Sequence, residues 1–418
     1  MLFVYRIFIN IVFILSPLII IFRLLRKKED IKRFREKLCF FSKKRGSGKI
    51  IWFHGASVGE IKSIIPILEK LEKNKIIDKI LITSNTLSSS KIIQQINLKK
   101  IVHQFFPIDT NFLSNKFINY WKPSCVFFVD SEVWPNTFIN LEKKQIPINL
   151  INGRITKKTF SNWSKFPNLA KNLFSKFNLC LSSSTESKKF LVKLGAKKVK
   201  FLGNLKFSET QNENFEKNEI LNKYFNSKKI WCASSTHHNE EIFCGKIHIE
   251  LKKKYKDLIT IIIPRHIERV SSIVSELSKY DLKIHIYRNK EKKIHPDTDI
   301  FIVDAYGKTK TFYNYCKIVF LGGSLIKHGG QNPLEAARFG CNILHGPNVS
   351  NFNEIYKFLK KNNVSKKVIN FHSMLSNLNK LFSKKNNTKK LQKKLTSIGK
   401  NILKNTYQEI NILIKNEI

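Results

Sequence analysis

The sequence predicts an α/β protein: two Rossmann-like domains facing across a cleft, with an N-terminal hydrophobic anchor helix. Three observations carry this. Apolar runs alternate with segments of helical spacing, the pattern of a parallel, doubly wound sheet. The alternation pauses at one polar, acidic stretch and then restarts. One apolar run in each half leads through a Gly-containing turn into a helix: WFHGASVGE at 52–60 and LGGSLIKHGGQNPLEAA at 321–337. In a parallel sheet such turns put backbone N–H groups and a helix N-terminus at the carboxyl edge, where an anionic ligand can be held.

Taken in order, the chain opens with an almost unbroken apolar run at 7–22, interrupted by Asn10, Ser16 and Pro17 and followed by Arg23, Arg26, Lys27 and Lys28. About 20 apolar residues span a bilayer, so the run is at the short end. Its positive charges follow it, which puts that side in the cytoplasm. No small-residue cleavage site follows either, so an uncleaved signal anchor over 1–28 is the expectation, with a helix lying in the interface or buried at a surface as the alternative. Strands are then expected at 50–54, 79–83, 102–106, 126–130, 146–151, 179–183 and 200–202. Helical spacing falls between them, as in Ile61, Ile64, Ile65, Leu68 and Leu71. This makes 29–207 the first domain. The acidic stretch SETQNENFEKNE at 208–219 is the expected linker. Strands resume at 230–233, 258–263, 282–287, 299–303, 318–321 and 342–344, and a helical rhythm of Leu391, Leu395, Ile398 and Ile402 closes the chain. That assigns 220–418, terminal helix included, to a second domain.

Composition narrows the partners. The net charge is +44, yet the lysines are spread along the chain with many Ile and Asn, and no RNA-binding signature or Cys/His finger is present. No nucleic-acid partner is expected; an anionic membrane surface or a phosphorylated substrate suits the charge better. The seven Cys carry no CxxC pattern, which argues for reduced thiols and a cytosolic body. The eleven His form no HExxH, and no metal site is expected.

Three stretches carry chemistry. After the first strand, Gly55 to Gly59 make a tight turn and Glu60 begins a helix. The dipole favours an ionised carboxylate there, which at a cleft mouth can accept a proton from a hydroxyl; it can equally do no more than stabilise its helix. In the second turn Asn332 suits N-cap, Pro333 N1 and Glu335 N3. Free N–H groups there could hold a phosphate, and Glu335 could bind ribose hydroxyls or merely close a capping box. Pro264, Arg265 and His266 end a very apolar strand, where an arginine suits a phosphate. Asp130 and Glu132, Lys206, and Ser235 to His237 are further strand-end candidates.

Together these stretches resemble the 3-deoxy-D-manno-octulosonic acid (Kdo) transferases of lipopolysaccharide synthesis. WFHGASVGE resembles that family's signature around its catalytic Glu, which falls on Glu60. DSEVWPN at 130–136, NGRIT at 152–156, GNLKF at 203–207, ASSTH at 233–237, PRH at 264–266 and GPNVSNFNEI at 346–355 follow in the family's order. The resemblance implies a glycosyltransferase-B fold, an inverting and metal-independent transfer, no cofactor, and an inner-membrane enzyme with its catalytic domains on the cytoplasmic side. It implies CMP-Kdo as donor and the lipid A precursor as acceptor. Carried over by motif, Glu60 is the general base, and Asp130 and Lys206 stabilise the transition state. Pro264, Arg265, Tyr306, Gly307, Lys308, Asn332, Pro333, Leu334 and Glu335 hold CMP. The chain departs from the family at Asp130 and Lys308, where Glu is usual, at Gly55 in place of Ala, and at Gln331 in place of His. Two other readings stay open: a glycosyltransferase-B enzyme with another sugar nucleotide, and a non-catalytic basic protein of membranes or nucleic acid.

Overall fold

The structure is a computed structural model that describes residues 1–209, 218–289, 293–383 and 389–417. The chain divides into two compact units, Met1–Thr210 with Ser397–Ile418, and Gln211–Thr396. Most of the expected linker, 210–217, lies outside the described residues.

The first unit holds a parallel sheet of β1 (Ile50–His54), β2 (Lys79–Ser84), β3 (Ile101–Phe105), β4 (Cys125–Val129), β5 (Ile148–Gly153), β6 (Phe177–Ser182) and β7 (Val199–Phe201). Their order is β3-β2-β1-β4-β5-β6-β7. Strands β1 and β4 are buried along their whole length, because helices cover both faces of such a sheet and each face needs an apolar lining. Alternate residues of β1 enter different cores. Ile50 and Trp52 join one with Phe117, Phe128 and Phe138; Ile51 and Phe53 join the other with Ile64, Ile82 and Phe127. The strand order reverses between β1 and β4, so the crevice beyond their carboxyl ends is the natural place for a ligand.

In the second unit β8 (Lys229–Thr236), β9 (Leu258–Pro264), β10 (Ile284–Tyr287), β11 (Ile300–Val303), β12 (Ile318–Leu321), β13 (Asn342–His345) and β14 (Ser365–Lys367) are also parallel. Their order, β10-β11-β9-β8-β12-β13-β14, reverses between β8 and β12. Strand β14 was not expected; its polar SKK lies at the sheet edge, where no apolar pattern marks it.

The terminal helix, Lys389–Glu417, corrects the expected boundary. Its later turns belong to the first unit, because Ile402, Ile410 and Ile414 are buried in the same core as Ile51 and Phe53. The fit is close: a Cβ on Gly203 would lie 2.7 Å from Ile402 Cδ1. All seven cysteines are buried and none is in a disulfide.

Candidate functional site

In the first unit β1 delivers Gly55 and Ala56 to Ser57, the N-cap of the helix Val58–Glu72. The Ser57 hydroxyl accepts from Glu60 N at 3.4 Å and donates to Glu60 Oε1 at 2.6 Å. Glu60 Oε2 accepts from Ala56 N at 2.8 Å. The S-x-x-E spacing therefore does build a cap. It does not leave an ordinary carboxylate. Burial pushes Glu60 up to about 7, outweighing the Ser57 hydrogen bond, and the nearby Glu132 and Asp130 charges push the same way. The helix dipole was expected to keep Glu60 ionised; desolvation wins instead.

Those neighbours come from β4. Asp130 follows it with φ +66°, the left-handed region that Asp tolerates better than most residues. Its backbone is tied to the neighbouring strand end: Asp130 N donates to Ile151 O at 3.1 Å and Arg154 N to Asp130 O at 3.0 Å. Burial raises the Asp130 carboxyl, while the Lys206 and Arg154 charges pull it down. Lys206 rides on a turn, Leu205–Ser208, fixed through Leu205 N donating to Asn152 Oδ1 (2.9 Å) and Lys206 N to Asn204 Oδ1 (3.0 Å). Beside them Trp134 Nε1 donates to Glu132 Oε2 at 2.9 Å, and buried His54 Nε2 lies 3.4 Å from that same oxygen. The structure thus brings Glu60, Asp130 and Lys206 into one electrostatic cluster. It adds Arg154, to which the NGRIT motif by itself gives no role.

In the second unit four strand ends supply the residues. Arg265 follows β9, and its N–H donates to Thr236 O at 3.0 Å, so the ends of β8 and β9 are laced together. Its side chain is exposed. The His237 ring lies 4.4 Å from His328 and 6.2 Å from His266, centroid to centroid. Burial first, then the charges of His328, His266 and Arg265, hold His237 below its usual range. After β11, Tyr306 donates to Glu268 Oε1 at 2.7 Å, which links this segment to the loop after β9. Gly307 has φ +76° and open space around it. Thr309 Oγ1 donates to Glu335 Oε2 at 3.4 Å, which joins the Tyr306–Lys308 segment to Asn332–Glu335.

Two expectations about the glycine turn change. The amides of Gly323, Ser324 and Leu325 are engaged by the buried Glu240 carboxylate, at 2.7, 3.3 and 3.1 Å, and His237 N donates to it at 3.0 Å. Those N–H groups serve an internal anion. Gly322 is needed for this approach, since a Cβ there would lie 2.5 Å from Ser235 O. The helix after the turn is only Leu334–Arg338, with Asn332 Oδ1 accepting from Leu334 N at 3.1 Å. Glu335 bonds Thr309, so it closes no capping box. Glu240 was missed because it sits 83 to 85 residues from the amides it holds and reads as an ordinary helix-start acid. Its one signal was its place directly after the ASSTHHN strand end.

Residues 32–209 match a family model described as 3-deoxy-D-manno-octulosonic-acid transferase (kdotransferase). The 3-deoxy-D-manno-octulosonic acid transferase of Rickettsia bellii is 33% identical over 384 residues, 91% of each chain. That of Haemophilus influenzae is 30% identical over 74% of this chain and 73% of its own. In fold, a glycosyltransferase from Rickettsia africae superposes with a TM-score of 0.59 at 12% identity, covering 89% of this chain and 99% of the other. The two parallel-sheet α/β units are of the glycosyltransferase-B kind.

Proposed function

The chain belongs to the 3-deoxy-D-manno-octulosonic acid (Kdo) transferase family of glycosyltransferases, and we propose that it moves Kdo from CMP-Kdo to a hydroxyl of the lipid A precursor with inversion at the anomeric carbon. The observation that carries this reading is the first-unit cluster: a Glu60 carboxylate pushed up to about 7, which feels Asp130, on which Lys206 and Arg154 act in turn.

A general base works best when its pKa lies near the working pH. Glu60 meets that condition and sits at the topological switch point, where an acceptor can enter. In the proposed step the acceptor oxygen bonds to the anomeric carbon as its proton passes to Glu60. The bond from that carbon to the phosphate oxygen breaks, and CMP leaves as the anion. Lys206 offsets negative charge, and Asp130 holds Lys206 and stabilises positive character at the anomeric carbon.

The second-unit residues suit the donor. Arg265 is exposed and can grip a phosphate bidentately. Pro264 ends the strand that aims it. Tyr306, Gly307 and Lys308 form a second edge of the CMP site, with Gly307 letting the ligand approach the backbone. Asn332, Pro333, Leu334 and Glu335 form the third, Glu335 accepting from the ribose hydroxyls. No metal or cofactor has a step in this reading. The acceptor is a phosphorylated amphiphile, so the enzyme would work at the inner membrane's cytoplasmic face, where a +44 chain is attracted to anionic lipid.

The test is transfer from CMP-Kdo, generated in situ, to tetraacyl lipid A precursor, read by product mass. Addition of one or more Kdo masses supports the proposal. A folded protein that transfers nothing from CMP-Kdo but turns over another sugar nucleotide would overturn the donor assignment.

A further inference from the structure

The N-terminal helix, Leu2–Leu25, is long and apolar enough to cross a membrane. Its contacts point elsewhere. Near its first turn Tyr5 Oη donates to Asp109 Oδ2 at 2.8 Å and Arg6 Nε to Asn136 Oδ1 at 3.0 Å. Asp109 is wholly buried and also accepts from Asn136 N, Thr137 N and Thr137 Oγ1, so Tyr5 reaches into the body of the first unit. In its last turn Arg23 Nε donates to Glu29 Oε1 at 2.5 Å. Glu29 is itself buried and shares that oxygen with Lys37 Nζ at 2.6 Å, while Lys37 O accepts from Ile108 N beside Asp109. Tyr5 and Arg23 are about 27 Å apart along the helix axis at 1.5 Å per residue. Both ends are therefore fastened to one globular unit.

Between the fastenings the shielding is periodic. Tyr5, Ile9, Val12, Ser16 and Ile20 recur every three or four residues and are the less exposed positions. Ser16 and Ile20 are 3% and 6% exposed, a level that a helix standing alone does not give its side chains. The remaining circumference is exposed and apolar, with Phe3, Phe8, Ile14, Leu18 and Phe22 among its residues. Arg26, Lys27 and Lys28 stand at its end. Exposed aromatics continue onto the body: Phe112, three residues past Asp109, and Phe40, whose ring lies under Lys116.

We infer that this helix does not span the membrane but lies in the plane of an anionic bilayer surface, clamped lengthwise to the first unit through Tyr5–Asp109 and Arg23–Glu29. A spanning helix would place its ends on opposite sides of about 30 Å of hydrocarbon, and the Tyr5 and Arg6 bonds to the body would have to break. An in-plane helix keeps them. It buries its free apolar face about 5–10 Å deep at the headgroup boundary, while Arg26, Lys27 and Lys28 meet anionic headgroups. The body then sits at a fixed height above the bilayer.

The full-length protein tests this in phosphatidylglycerol-containing proteoliposomes whose bodies protease shows to face outward. Val4→Cys and Leu25→Cys, both at exposed positions, are labelled singly with an environment-sensitive fluorophore; the seven native cysteines are buried. External dithionite is expected to abolish both signals to the same level. If the label on the Val4→Cys variant survives until the vesicles are permeabilised while that on Leu25→Cys is lost, the helix spans and the inference falls. Replacing Arg26, Lys27 and Lys28 together by Gln is expected to weaken binding to anionic vesicles and leave residual binding to neutral ones unchanged. Unchanged binding to both would overturn the headgroup assignment.

Discussion

The two units present the same sheet edge and use it in opposite ways. In the first, the chemistry-bearing groups are half-buried or buried, and desolvation sets their protonation: Glu60 and Asp130 are both raised. In the second, Arg265 and Tyr306, which we propose hold the donor, are exposed, and the buried carboxylate, Glu240, spends its acceptors on the protein's own amides. One edge is tuned and the other is braced. A reacting group gains from a dry setting that shifts its pKa, whereas a nucleotide-binding loop must keep its shape and leave cations available to the ligand.

The strongest way to break that contrast is to remove the tuned group. Glu60→Gln is expected to lower kcat by about 10²- to 10⁴-fold, the range for a positioned base, with circular dichroism unchanged. An effect confined to KM would make Glu60 a binding residue. Next comes the brace. Glu240→Ala strands four backbone donors, so thermal unfolding should show a loss of about 3 kcal/mol, and CMP affinity should fall with it. A variant as stable as wild type would mean that water replaces the carboxylate.

The third effect depends on pH. Glu60 is raised from 4.5 unfolded to about 7 folded, so the folded state holds its proton longer, and stability falls as pH rises from about 4.5 to 7. Glu60→Gln should therefore match wild type below that window and exceed it above, by at most about 3 kcal/mol. A gain at low pH that vanished at high pH would reverse the sign and contradict the burial account. The smallest change is Arg265→Lys. It keeps the charge and loses the bidentate fork, which should weaken CMP binding by about tenfold, or about 1.4 kcal/mol, with no stability change.

Much of this was legible in the sequence because strands buried on both faces advertise themselves. IIWFH, CVFFV and LITIIIP admit no polar face, and each was located to within a residue or two. The polar edge strand Ser365–Lys367 carried no such mark. The apolar rhythm of the terminal helix was visible, but not which core it fills; that depends on Ile402 meeting Gly203, about 200 residues away in the chain. Asp130 could be found because it directly follows a strand, and Glu60 because it lies in the first turn of the helix after one. The field that Arg154 and Lys206 exert on Asp130 could not, since it arises from turns at Asn152 and Asn204 folding back on the same edge. The glycine turn misled for the same reason: local spacing indicated free amides, and a distant glutamate had claimed them.

The most direct test of the central claim is the pH dependence of Kdo transfer from CMP-Kdo to the lipid A precursor, by wild type and by Glu60→Ala. A desolvated Glu60 acting as base predicts a wild-type kcat that rises with pH and levels above about 7, and a residual rate in the variant that lacks this limb. The same limb persisting in an active Glu60→Ala protein would contradict the account, because the titrating base would then lie elsewhere.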